Sequence, residues 1–182
     1  MVILGVDPGT LITGYGVIKH TANTTRVLEY GVVKNGSSKS LPLRLKEIFA
    51  RLCEVIEKYH PDEFAIETSF YGRNAQSAMK LGHARGVSLL AAVNRDIPTA
   101  EYSPREVKKA VVGSGAASKE QVRFMVKTLL KMKTSPAVYD SSDALAVALC
   151  HLHRISQAER SFRDWKSYIE AHPEKIVRRL RG

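Results

Sequence analysis

Two short apolar runs that each end in a carboxylate constrain this chain more than any other feature. Val2-Ile3-Leu4-Gly5-Val6 stops at Asp7, and Phe64-Ala65-Ile66 stops at Glu67. Both read as strands, and two strands that end in acids place those acids on one rim of a sheet. A second pair, Asp140 and Asp143, stands three residues apart just before the apolar run Ala144–Leu149. Acids at i and i+3 at the start of a helix point the same way. Four carboxylates gathered in this manner repel one another unless cations neutralise them, and hard Mg²⁺ prefers oxygen ligands.

The rest of the chain supplies the elements such a rim needs. Residues 2–7, 13–20 and 26–35 read as three strands with short links rich in Gly, Thr and Asn, as antiparallel neighbours require. Ser40 opens a helix over 41–59, whose apolar positions follow the helical period; Pro42 falls in the first turn, where a missing N–H costs little. His60-Pro61 stops it, and a fourth strand ends at Glu67. A helix over 74–94, a fifth strand over 99–102 and two capping boxes, Ser103-Pro104-Arg105-Glu106 and Ser118-Lys119-Glu120-Gln121, come next. The second box opens a helix to about Lys133, and the last core helix covers about 141–153. This order predicts an α/β fold with a five-stranded mixed sheet flanked by helices. Residues 1–155 form the expected domain; residues 156–182 read as a basic tail, loosely helical or mobile.

Charge narrows the function. The chain has 28 Lys and Arg against 18 Asp and Glu, a formal +10 over 182 residues. The excess is uneven: residues 73–133 hold 12 basic and 4 acidic side chains, a net of +8. An acidic pocket inside a basic protein points to phosphodiester chemistry on a nucleic acid. No apolar stretch approaches 18 residues and Met1 leads straight into a strand, so neither a membrane span nor a secretory signal is expected, and the compartment is the cytoplasm. Cys53 and Cys150 read as reduced, buried thiols. The six histidines show no i, i+4 ligand pair and read as surface or helix-end residues.

Taken singly, each acid has a plainer reading. Asp7-Pro8-Gly9-Thr10 is a good turn, Asp140 could cap a helix, and Asp143 could favour its dipole. Their convergence carries the metal reading. Two Mg²⁺ roughly 3.5–4 Å apart would generate a water nucleophile and stabilise the leaving oxygen, so no Ser, Cys or His nucleophile is needed. Phe70-Tyr71-Gly72-Arg73-Asn74 follows Glu67 closely, and its two aromatics could stack on unpaired bases or, equally, one of them could pack into the core. Lys80, Arg85, Lys108, Lys109, Lys119, Arg123 and Lys127 are available for phosphates as a set, though any one of them alone reads as a solvated surface charge.

These residues resemble the RuvC family of bacterial Holliday junction resolvases, with a ribonuclease H-like fold. The likeness is carried over about residues 2–153 by Asp7-Pro8-Gly9 with Thr13-Gly14-Tyr15-Gly16, by Ala65-Ile66-Glu67, and by Lys80-Leu81-Gly82 with Ala84-Arg85-Gly86. It continues through Val107-Lys108, Val111-Val112-Gly113 and Asp140-Ser141-Ser142-Asp143-Ala144-Leu145-Ala146. The resemblance implies Asp7, Glu67, Asp140 and Asp143 as catalytic and metal-holding carboxylates, with two Mg²⁺ per subunit and Mn²⁺ as a substitute. It places functional lysines at Lys108 and Lys119 and a junction-opening aromatic at Phe70, with Tyr71 beside it. The expected substrate is four-way junction DNA, nicked symmetrically by a homodimer to leave 5′-phosphates and 3′-hydroxyls. The RuvA-RuvB branch-migration complex is the expected partner. A stripe of small residues, Ala78, Gly82 and Gly86, would suit close helix contact between subunits, or equally the packing of this helix on its own sheet. A nuclease of the same fold acting on RNA or hybrid duplexes is the nearest alternative, and Asp7-Pro8-Gly9-Thr10 with Gly14 also resembles the first phosphate loop of the actin, hexokinase and Hsp70 ATPases.

Overall fold

In the computed structural model, which describes residues 1–22, 24–68 and 75–161, five strands form one mixed sheet. The strands are β1 (Val2–Asp7), β2 (Ile12–Thr21), β3 (Thr24–Lys34), β4 (Glu63–Glu67) and β5 (Thr99–Tyr102), and their spatial order is β3-β2-β1-β4-β5. β1, β2 and β3 make an antiparallel meander, while β4 and β5 join parallel to β1. The five-stranded mixed sheet expected from the sequence is present. Val6 pairs with Ile66, so Asp7 and Glu67 leave adjacent strands side by side.

Alternation along the strands sorts the two faces. Leu4, Val6, Tyr15, Val17, Phe64 and Ile66 pack with Ile48, Leu52, Val55 and Ile56 of α1 (Leu41–Tyr59) and with Ala84, Ala91 and Ala92 of α2 (Ala75–Val93). The opposite face carries glycines where a second layer must come very close. A Cβ at Gly5 would strike the Ala144 carbonyl and lie 2.7 Å from the Ala148 amide nitrogen, and one at Gly16 would lie 2.7 Å from Leu145 Cδ2. These contacts seat α5 (Tyr139–Ser161) directly on β1 and β2.

The helix signals hold, with three differences. Both capping boxes form: Ser103 with Glu106 opens α3 (Pro104–Val112), and Ser118 with Gln121 opens α4 (Lys119–Leu129). α4 ends at Leu129 rather than near Lys133, because Lys131 takes a left-handed φ of 50° and Met132 N–H folds back to the Lys127 carbonyl at 2.9 Å. α5 begins at Tyr139, which puts Asp140 inside its first turn instead of at a cap. It also continues beyond Arg154: the chain divides into a unit Met1–His151 and a unit that begins at Leu152, in which the helix runs on to Ser161. The tail beyond Ser161 lies outside the described residues. No described helix is long and apolar enough to cross a membrane.

Candidate active site

Three elements deliver the acids to one place. Asp7 and Glu67 stand at the carboxyl ends of neighbouring parallel strands, the customary rim for a site in an α/β sheet. Asp140 comes from the first turn of α5 and Asp143 follows it three residues on; this helix start sits over that rim because Gly14, the register partner of Asp7, has no side chain. A Cβ on Gly14 would collide with the Asp140 carbonyl and stand 3.1 Å from the Ser141 amide nitrogen. The turn after Asp7 is pinned locally, with Thr13 Oγ1 donating to the Gly9 carbonyl at 2.6 Å.

All four carboxylates line one cavity of about 400 Å³, together with Pro8, Gly9, Ile12, Leu81, Pro104, Val107, Val122, Lys108 and Lys119. Burial pushes the Asp7 carboxyl well above the usual range, and the negative charges of Glu67, Asp143 and Asp140 push it further. Burial also raises Asp143, against the pull of Lys119, whose Nζ stands 3.4 Å from Asp143 Oδ2. Burial works to lower Lys119, but attraction to Asp143, Asp7 and Asp140 outweighs it and the ammonium is held above its ordinary value. Two ammoniums, Lys119 and Lys108, cannot neutralise four acids. Among the described residues no three His, Cys, Asp or Glu side chains already stand close enough together to form a finished metal shell.

Six of the residues singled out from the sequence therefore meet here: Asp7, Glu67, Asp140, Asp143, Lys108 and Lys119. Lys80 is exposed on α2, away from the cavity lining, and Arg85 is committed to an ion pair with Glu101, Nε to Oε2 at 2.7 Å. Phe70, Tyr71, Arg73 and Asn74 lie outside the described residues. The small-residue stripe faces away from the core: a Cβ at Gly82 or Gly86 would meet nothing within 4 Å, while the core-facing side of α2 is made by Ala84, Ser88, Ala91 and Ala92. The histidine reading needs one correction. His151 is buried, not superficial, because it bonds to Tyr102 and Glu63 across the helix–sheet interface. Cys150 is buried as expected, but Cys53 is only partly so and lies 3.2 Å from an Arg95 nitrogen. Gly14, Ile12 and Leu81 complete the site without having been assigned a chemical role from the sequence. The alternating glycines of Thr13-Gly14-Tyr15-Gly16 were the available sign of a helix lying close by.

A sheet of this order, with acids on β1, β4 and the final core helix and lysines at the mouth, defines a hydrolytic nuclease of the ribonuclease H-like class. The family described as crossover junction endodeoxyribonuclease RuvC matches residues 3–151, and the chain belongs to that family. It is 42% identical over 177 residues to the RuvC of Salinibacter ruber, covering 97% of this chain and 99% of that protein. It is 45% identical over 186 residues to the RuvC of Chloroherpeton thalassium, covering 98% and 100%. The structure of Thermus thermophilus RuvC in complex with a Holliday junction substrate superposes with a TM-score of 0.82 at 36% identity, covering 87% of this chain and 96% of that one. The yeast mitochondrial Holliday junction resolvase shares the fold, with a TM-score of 0.62 at 12% identity.

Proposed function

We propose that this chain resolves four-way DNA junctions, cutting two strands symmetrically as a homodimer and leaving 5′-phosphate and 3′-hydroxyl ends. The observation that carries the reading is the convergence of Asp7, Glu67, Asp140 and Asp143 on one cavity whose mouth holds Lys108 and Lys119. The donor set suits hard divalent cations: all oxygen, mutually repelling, and only partly offset by Lys119 and Lys108. These four residues would hold two Mg²⁺ per subunit, or Mn²⁺ in their place. Bound there, the ions supply an activated water and charge stabilisation at the scissile phosphate.

The chain's own side chains do the rest. Lys108 and Lys119 attract and orient the phosphate backbone. Phe70, with Tyr71, replaces base stacking lost at the crossover, worth about 1–3 kcal/mol per base, while Arg73, Asn74, Lys80 and Arg85 extend the DNA face. Dimerisation is supported by α2, where Gly82 and Gly86 leave open space beside exposed Met79, Leu90 and Val93, and a second α2 would fill it. The reading places the protein in the cytoplasm with residues 1–155 as the nuclease domain and a basic tail after it, and makes the RuvA-RuvB complex its partner.

The test is cleavage of a four-way junction, an RNA–DNA hybrid and single-stranded DNA side by side in Mg²⁺, with Asp7→Asn as the inactive control. Paired nicks confined to the junction are expected. Preferred cutting of the hybrid would replace this reading with that of an RNA-directed nuclease.

A further inference from the structure

Asp140 and Asp143 ride on α5, while Asp7 and Glu67 ride on the sheet. The spacing of the four acids therefore depends on how far α5 slides and rotates over the strands. Over β1 and β2 the contact is glycine against Ala144, Leu145 and Ala148, which permits close approach through packing. A directional contact lies over β4 and β5. Buried His151 places Nδ1 2.7 Å from the Tyr102 hydroxyl and Nε2 3.3 Å from Glu63 Oε2. A carboxylate only accepts, so Nε2 carries the proton and Nδ1 accepts from the Tyr102 hydroxyl. Burial keeps this imidazole below its ordinary pKa against the opposing pull of Glu63, which favours the neutral ring this arrangement needs.

The bridge is wired to both halves of the site. Tyr102 is the register partner of Glu67, and its carbonyl accepts from the Thr68 amide at 2.8 Å. His151 follows Asp140 by eleven residues, roughly three helical turns plus about 20°, so both lie along the same side of α5. A rotation permitted at His151 is thus transmitted along a rigid helix to Asp140.

We propose that Tyr102 and His151 are positioning residues for the hydrolysis: their hydrogen bond locks the rotation of α5, so that Asp140 and Asp143 meet Asp7 and Glu67 at the separation metal binding requires. The proposal rests on reading the four acids as one metal-holding set. Neither residue lines the cavity that holds the four acids. Both act through the element that carries the carboxylates, as outer partners of metal ligands do.

Tyr102→Phe removes one oxygen and keeps the ring, so it tests the bond without emptying the core. Three quantities are measured on the full-length protein: single-turnover cleavage of a four-way junction in Mg²⁺, junction affinity in EDTA, and Mn²⁺ affinity of the DNA-free protein by calorimetry. Cleavage and Mn²⁺ affinity should each fall by about 10–100-fold, the usual reach of such partners, while junction affinity changes by less than about twofold. Tyr102→Phe combined with His151→Leu should be no slower than His151→Leu alone, since one bond is being removed. Ile48→Val, in the core on the other face of the sheet, should lower the melting temperature without slowing cleavage. Parent-like cleavage and Mn²⁺ affinity in Tyr102→Phe, or equal slowing by Ile48→Val, would overturn the proposal. If the parent cuts no junction at all, the functional reading fails instead, and the Mn²⁺ measurement still judges the bridge.

Discussion

Gly14→Ala should disable cleavage while leaving most of the fold and of DNA binding intact. The added methyl falls on the Asp140 carbonyl and 3.1 Å from the Ser141 nitrogen, and both are backbone atoms that no rotamer change can move aside. Restoring an ordinary carbon–oxygen separation requires the start of α5 to lift by roughly 1–1.5 Å. Forcing a methyl into a filled interface costs about 1–3 kcal/mol, and a domain of this size loses roughly 2–4 °C of melting temperature per kcal/mol. The protein should therefore fold, with a lowered melting point. The catalytic loss is larger, because a displacement of about 1 Å costs on the order of 100-fold in rate. It falls directly on Asp140, with Asp143 three residues further along the same helix. Lys108 and Lys119 are carried by α3 and α4 rather than by α5, so junction affinity in EDTA should change little. Single-turnover cleavage across a Mg²⁺ titration, with melting curves, is the assay. Gly36→Ala is the control, since its new methyl meets only Ser38 Oγ at an ordinary 3.7 Å. Cleavage by Gly14→Ala within twofold of the parent would refute the claim that this close approach sets the position of Asp140.

Asp7→Asn should abolish cleavage, retain junction binding, and melt higher than the parent in EDTA at neutral pH, since it removes a buried charge facing three other carboxylates; saturating Mg²⁺ should narrow or reverse that gap by stabilising only the parent. Lys119→Ala should slow cleavage and, if Lys119 meets one phosphate, reduce the slope of log affinity against log salt by about 0.9; an unchanged slope removes it from the DNA backbone. Partial burial pushes the Glu29 carboxyl up, but hydrogen bonds from Lys58, Tyr59 and Tyr15 outweigh it and hold it at about 2 rather than 4.5. A depressed carboxylate stabilises the fold above its unfolded value and loses that contribution as pH falls through the folded one. Glu29→Gln should thus cost about 1–2 kcal/mol at neutral pH, a deficit in denaturant melts that shrinks between pH 4.5 and about 2. If the proposed dimer forms through α2, Gly82→Arg should shift it to monomer in sedimentation; a dimer that persists would move the seam away from α2.

The sequence determined whatever is encoded at short range. Asp7 and Glu67 close their strands because apolar runs stop there, the capping boxes of Ser103 and Ser118 mark helix starts within four residues, and Asp140 and Asp143 share a helical turn by spacing alone. The element order also sufficed for the mixed sheet, and the acids, the charge and the ordered motifs for the nuclease class. Tertiary structure decided what depends on partners far along the chain. Whether Gly82 and Gly86 met the sheet or open space turned on which side of α2 its buried alanines faced, and the amphipathic pattern of this small-residue helix is too weak to say. That Arg85 is paired with Glu101 followed only once β5 lay beside β4. His151 looked like a helix-end residue because its two partners, Tyr102 and Glu63, lie 49 and 88 residues away. Gly14 shows the division most directly: its lack of a side chain is written in the sequence, but the backbone that occupies the space arrives from residue 140. Local pattern is read from neighbours three or four residues apart, whereas packing distance arises only when the sheet brings distant segments into contact.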